Sequence, residues 1–346
     1  MSEDQTQTAE FENHPGLKPW RRFMIANRAA LGSLGFFVAM WLLFFFYSIF
    51  TGNSQIFLGW GLYRSVLTIL PVAIFLVVPL VFIITIGEID LSFPAVMGLS
   101  GWVFAIIIQA GVNPLWAMLA ALITGMALGL LVGSIVVFLN LSSLVATLGM
   151  NFMLRGIIQI INQGKNKSFP PEFKQTAAYQ IFSSEISVFG YGIPVQILWG
   201  IAFVVLAAFL FNRHRFGAQV KIIGDNPESA RAMAINVNWV RVKAFVFMGL
   251  GAALAGTFST MINFTWFTTS GEGYLLQALA SVFVGGTPTW GGIGTVVGGA
   301  IGALTVQFIQ TGIVATGMTG FYIQFFNGLI IILSLIGHRW NQSRYR

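Results

Sequence analysis

The chain has 346 residues, 56% of them hydrophobic and only 8% charged, with a formal net charge of +7. A soluble globular chain carries roughly 25% charged residues, so this one cannot cover itself with polar surface in water. It has no cysteine, and its three histidines, His14, His214 and His338, lie outside the apolar runs, which excludes a disulfide framework, a thiolate metal site and an intramembrane histidine cluster. The class that fits is an all-α integral membrane protein.

Residues 1–30 begin acidic at Glu3, Asp4, Glu10 and Glu12 and turn basic at Lys18, Arg21, Arg22 and Arg28. The apolar stretch behind them runs for about twenty residues without a small-residue cleavage pattern, so a cytoplasmic tail is predicted rather than a signal peptide. A bilayer core about 30 Å thick needs about 20 apolar residues at 1.5 Å rise. Such runs fall at 31–50, 66–87, 93–111, 115–139, 144–162, 194–212, 243–262, 295–314 and 321–337. A shorter glycine-rich run at 276–290 either crosses or re-enters. Counting it gives about ten transmembrane helices in a domain of residues 31–337, followed by a cytoplasmic tail at 338–346. With the N-terminus inside, thirteen of the eighteen Lys and Arg residues fall on the cytoplasmic side. That bias predicts both termini in the cytoplasm, a cytoplasmic loop at 213–242 and an outer loop at 163–193, and it explains the basic charge without nucleic acid. Splitting at the outer loop leaves equal numbers of spans on either side, and a Gly-Glu pair follows the second span of each half, at Gly87-Glu88 and Gly271-Glu272. A 5+5 inverted repeat is the corresponding expectation.

Ionisable groups at membrane depth are expensive, by about 2.5–3.5 kcal/mol on insertion scales. Glu88 and Asp90 are the only charges between Ser65 and Gly111. They are either acids in a wet turn, with Asp90 or Ser92 capping the helix ahead of Pro94, or part of a broken backbone on a translocation path. The fifth run carries Thr147, Asn151, Arg155, Gln159 and Asn162 at spacings of four, four, four and three. On a helix these share one face, which is either a set of interhelical hydrogen bonds with Arg155 neutralised by Glu272 or a wet pathway wall. After the seventh run, Phe264, Trp266 and Tyr274 beside Glu272 read equally as an interfacial aromatic belt or as a surface on which sugar rings stack. Gly294, Gly298 and Gly302, and Gly249, Ala253 and Thr257, repeat every four residues and predict close helix packing.

Within 213–242, Asp225 or Asn226 can cap a short helix over 227–234, Pro227 suits its first position and Glu228 its first turn. Ala230, Met233 and Ala234 would present a small apolar face, as a linker on the membrane surface or as a docking surface. The run Ile223-Gly-Asp-Asn-Pro-Glu-Ser-Ala-Arg-Ala-Met-Ala-Ile-Asn-Val237 resembles the pattern I-G-x-N-P-x-A-A-R-x-x-G-I-x-V of the ribose/galactose-type permeases of bacterial ABC importers. The blocks Gly87-Glu-Ile-Asp-Leu-Ser92, Leu144-Val-Ala-Thr-Leu-Gly149 with Arg155-Gly156, and Val284-Gly-Gly-Thr-Pro-Thr-Trp-Gly-Gly-Ile-Gly294 agree with that family in order and spacing, over residues 30–337.

The resemblance implies a permease subunit of the bacterial inner membrane that imports a monosaccharide or similar small polar solute. It implies that the 213–242 loop, through Gly224, Asn226, Pro227, Ala230, Arg231, Ala234 and Asn236, seats in a groove of a separate cytoplasmic ABC ATPase. An extracytoplasmic solute-binding protein and a second permease copy or paralogue complete the assembly. The chain has no G-x-x-x-x-G-K-[ST] phosphate loop, so it is expected to be no enzyme and to need no cofactor. The expected solute path combines Glu88, Asp90, Ser92, Thr147, Asn151, Arg155, Gln159, Phe264, Trp266 and Glu272. Two departures stand out: Ala234 where the family has glycine, and Glu88 with Phe93-Pro94 where it has Gly and Val-Gly. The alternative is a self-sufficient carrier driven by protons or sodium, with Glu88, Asp90 or Glu272 as its ion site.

Overall fold

A computed structural model describes residues 27–343 except 53, 318 and 319, together with Trp20 and Met24. Most of the expected N-terminal tail, and the residues after 343, lie outside the described residues. The helices of the first half are α1 (Arg28–Phe50), α2 (Ser54–Leu58), α3 (Trp60–Thr85), α4 (Phe93–Gln109), α5 (Pro114–Phe138) and α6 (Ser143–Asn162). Residues 163–195 hold β1 (Lys167–Ser168), a 3-10 turn, α7 (Ala177–Phe182) and a hairpin of β2 (Glu185–Val188) and β3 (Tyr191–Pro194). Next come α8 (Gln196–Asn212), α9 (Arg215–Asp225), α10 (Pro227–Ala232), α11 (Val237–Asn263) and β4 (Thr265–Trp266), which pairs antiparallel with β1. The chain ends in α12 (Tyr274–Val284), α13 (Val296–Ala315) and α14 (Phe321–Ser343).

Among the described residues, six helices are long and apolar enough to cross a membrane: α1, α3, α5, α6, α11 and α13. The pair α8 and α9, bent by 64°, would be a seventh, while α4, α12 and the apolar part of α14 are shorter. At 1.5 Å per residue the 11 residues of α12 span only about 16 Å, half a bilayer core. The 276–290 run is therefore a short helix followed by non-helical backbone, because Gly285, Gly286, Pro288, Gly291 and Gly292 end it.

The centre of the molecule is α3 packed against α11. From Leu70 to Thr85 every residue of α3 is buried, as a helix apolar on all sides must be. α11 lies in contact with α5 through glycine on glycine: Gly125 and Gly129 of α5 face Gly249 and Phe245 of α11, where an added Cβ would strike backbone. Gly298 and Gly302 of α13 meet Gly285 and Ser281 at the end of α12 in the same way. The small-residue spacings are thus packing contacts. One buried amide pair, Gln277 Nε2 donating to Gln307 Oε1 at 3.0 Å, ties α12 to α13.

Three sequence expectations need correction. The connection after residue 212 is not a loop with one short helix: α9 precedes α10, and α11 begins at Val237 rather than 243. The 163–193 connection carries a hairpin, β2 with β3, that hydrophobic patterning did not reveal. The short helix after Pro227 ends at Ala232, and Ala234 lies beyond it with φ +58. Ile235 N–H donates to Ala230 O at 3.1 Å and Ala234 N–H to Arg231 O at 3.0 Å, a Schellman end that favours glycine at Ala234. The departure from the family's glycine therefore places an alanine in left-handed backbone. Ala234→Gly should stabilise the chain by about 1 kcal/mol, read as a higher thermal midpoint in detergent. An unchanged or lower midpoint would contradict this helix end.

Candidate functional site

The four sequence blocks that set this chain apart are far apart in sequence and meet in space. Residues 86–92 leave α3 at Gly87, φ +88, and run without helix or strand beside the first two turns of α6. There Ile89 N–H donates to Ser143 Oγ at 3.1 Å and Leu91 N–H to Thr147 Oγ1 at 2.9 Å. Asp90, 3% exposed, turns its carboxylate onto Ser92, accepting from its N–H at 2.7 Å and its hydroxyl at 2.6 Å. These bonds satisfy an irregular stretch that water would otherwise have to serve. At the α3 end, Thr85 O accepts from Gly292 N–H at 2.8 Å, and Gly224 of α9 packs against both Thr85 and Gly292. Side chains larger than hydrogen at Gly224 or Gly292 would separate the segments.

Two ion pairs flank the junction. Glu88 Oε1 lies 3.3 Å from Arg241 Nε, in the second turn of α11. Arg155, largely buried on α6, donates from Nη2 to Pro94 O at 3.0 Å and stands 3.9 Å from Glu272. Each arginine reaches a Gly-Glu pair on the other side of the 163–193 connection in sequence, and Gly271 shares the positive φ of Gly87, at +93.

Several expected site residues stand elsewhere than sequence spacing implied. Thr147 and Arg155 face inward, Asn151 is half-buried with its amide oxygen unpartnered, and Gln159 is exposed among Ile160 and Ile161. Four-residue steps advance about 40° around a 3.6-residue helix, so Gln159 has turned off the face that Thr147 begins. Trp266 is fully buried, its indole N–H donating to Gly98 O at 2.9 Å, so it is neither an interfacial belt residue nor an open stacking surface. Phe264, φ +52, packs on Tyr179 and Phe173 of the 163–193 connection with Lys174 Nζ 4.7 Å above its ring. Glu272 is exposed, and Ser92 is buried at the start of α4.

On α10, Asn226 caps the helix, accepting from the N–H groups of Glu228 and Ser229 at 2.9 and 3.1 Å. Ala230 is fully buried, because the Schellman end folds Ile235 over it, and so is not part of an exposed face. Glu228, Ser229, Arg231, Met233 and Ala234 are exposed, and Met233 is the large apolar group among them at 62%. Asn236 caps α11 by accepting from Trp239 N–H at 3.2 Å.

Comparison with known proteins places this geometry in a family. Residues 62–335 match the model of the branched-chain amino acid transport system permease component. The ribose import permease protein of Escherichia coli (strain K12) is 33% identical over 258 residues, covering 73% of this chain and 78% of that protein. The D-allose transport system permease protein of the same organism is 32% identical over 253 residues, covering 72% and 75%. The autoinducer 2 import system permease protein of Photorhabdus luminescens is 30% identical over 252 residues, covering 72% and 73%. The chain belongs to the branched-chain amino acid transport system permease-component family as a ribose-type ABC permease, a multi-pass membrane transport subunit and not an enzyme.

Proposed function

We propose that the chain is the translocation subunit of an importer for a monosaccharide or similar small polar solute, driven by a separate cytoplasmic ABC ATPase. An extracytoplasmic solute-binding protein delivers the solute, and a second permease copy or paralogue closes the path. The observation that carries this reading is the convergence of the 224–237 segment on the break at 85–92: the segment offers an exposed surface on one side while its Gly224 and the adjoining Arg241 hold Thr85 and Glu88 on the other. A partner pressing on α9 and α10 would act on the break itself. Two named relatives, for ribose and D-allose, support a sugar as cargo. The ion-coupled alternative is disfavoured because Glu88 is engaged by Arg241, Asp90 by Ser92, and Glu272 lies beside Arg155.

The architecture we infer has about ten crossings, with both termini in the cytoplasm and two halves related by an inverted repeat. Support comes from α3, break and α4 in the first half against α11, the 264–273 loop and α12 in the second, each with a left-handed glycine before a glutamate. Basic residues on the 213–236 side set the orientation. Single cysteines in this cysteine-free chain read it directly. Ser187→Cys should react with an impermeant thiol reagent in intact cells and Ser229→Cys should react only after the membrane is opened; the reverse pattern would invert the topology.

The coupling surface has its own test. Met233→Glu leaves the buried side of α10 untouched and puts a charge on the face that docks. A desolvated contact of this kind is worth about 2–5 kcal/mol, so association with the ATPase should weaken by about 30-fold or more and uptake should fall with it, in a permease still inserted at normal level. Full co-purification and full uptake by the variant would remove α10 from the interface.

A further inference from the structure

Away from the junction, the outer ends of α3, α11 and α12 enclose a cavity of about 400 Å³. Small-molecule sites begin at about this size. Its wall on α3 is built by residues at helical spacing, Gly61, Ser65, Thr68 and Val72, so one face of an otherwise apolar helix turns polar only here, at its outer end. Asn263 and Tyr274 close the opposite wall.

The chemistry of this wall is specific. Ser65 donates its hydroxyl to Gly61 O at 2.9 Å, Thr68 to Arg64 O at 2.8 Å, and Asn263 its amide to Ser259 O at 2.8 Å. Ser65 and Thr68 spend their hydroxyl protons on backbone and so offer the cavity acceptor oxygens, while Asn263 keeps a second amide N–H and Tyr274 carries a hydroxyl, so the lining combines acceptors and donors, matched by a ligand rich in hydroxyl groups, which do both. Ile69, Val72 and Ile262 supply the apolar surface that the C–H face of such a ligand needs. The charge at the rim, Arg64, is already matched by Glu185 of the β2 strand, so nothing here calls for an anionic solute. The same pair ties the start of α3 to the β2–β3 hairpin, and Trp60 reinforces it by donating to Gly192 O at 3.2 Å and packing on Tyr191.

We propose that this cavity is the outer binding site for the transported solute, and that it takes a neutral, polyhydroxylated molecule. The proposal rests on the importer reading and moves the first contact with solute from the α6 stripe, whose Arg155 and Thr147 are occupied by other protein groups, to the α3 and α11 wall.

Gly61 makes the test clean, because a Cβ built there meets no atom within 4 Å. Gly61→Leu projects a bulky side chain from a wall position with open space around its Cβ and favours the helix. It should lower ribose uptake by about tenfold while insertion, ATPase association and basal ATP hydrolysis stay at the parent level. In parallel, Ser65→Cys should react with a small impermeant thiol reagent in intact cells and lose whatever uptake it retains once modified. Parental uptake by Gly61→Leu, or a Ser65→Cys that resists the reagent or transports normally after modification, would overturn the cavity as solute site. Failure of the importer reading would look different: the unaltered chain would import without any ATPase, whereas modification of Ser65→Cys would still report whether the cavity admits solute.

Discussion

A backbone amide packed against protein needs a partner in place of water, and the non-helical, largely half-buried stretch 86–92 has to meet that constraint without a helix. A helix would satisfy its amides internally, but the chain leaves α3 through a left-handed glycine and is neither helix nor strand until α4. Hydroxyls one turn apart on α6, Ser143 and Thr147, replace the missing helical acceptors, and Asp90 serves the amide of Ser92, just ahead of α4. An unsatisfied buried amide costs about 1–3 kcal/mol, so the register between the 86–92 stretch and α6 is fixed by bonds that a slip of one residue would forfeit. The position of α4, and through Pro94 that of Arg155, follows from this stretch.

The rest of the molecule is arranged so that few segments reach the break and each has a defined route to it. Gly292 bonds Thr85 from the stretch between α12 and α13, Gly224 packs there from α9, and Arg241 reaches Glu88 from α11. The glycines matter at these points for space: at Gly224 a Cβ would meet the Thr85 carbonyl. A displacement of the 215–232 segment therefore has no slack to absorb it before it reaches residues 85–88. Glu88, a departure from the family pattern, adds an ionic tie that the usual glycine cannot make, and the pair is mostly shielded from water, where attraction between opposite charges is less screened.

Much of this was legible in the sequence. Apolar runs located the main helices to within a few residues, since lipid demands long uninterrupted hydrophobicity. Asn226-Pro227-Glu228 announced the start of α10, and the glycine spacings announced the α11 and α13 contacts. Local rules failed where tertiary contact decides. The burial of Ala230 and Trp266 depends on chain folded over them from elsewhere, and Gln159 left the polar face by the slow rotation of a four-residue step. The left-handed backbone of Ala234 was hidden because the sequence places alanine there; the family's glycine at that position was the signal that could have found it. The cavity at the start of α3 was missed because only the packing of α11 and α12 turns the face of Gly61, Ser65 and Thr68 into a wall.

The central claim is that residues 86–92 form a docked, hydrogen-bonded break and not a wet turn. Hydrogen exchange of a peptide spanning 86–93, in the membrane-inserted protein, tests it most directly. The account predicts slow exchange at Ile89 and Leu91 in the unaltered chain, accelerated by at least about tenfold in Thr147→Val, which removes the acceptor for Leu91. Rapid exchange already in the unaltered chain, indifferent to Thr147→Val, would contradict it.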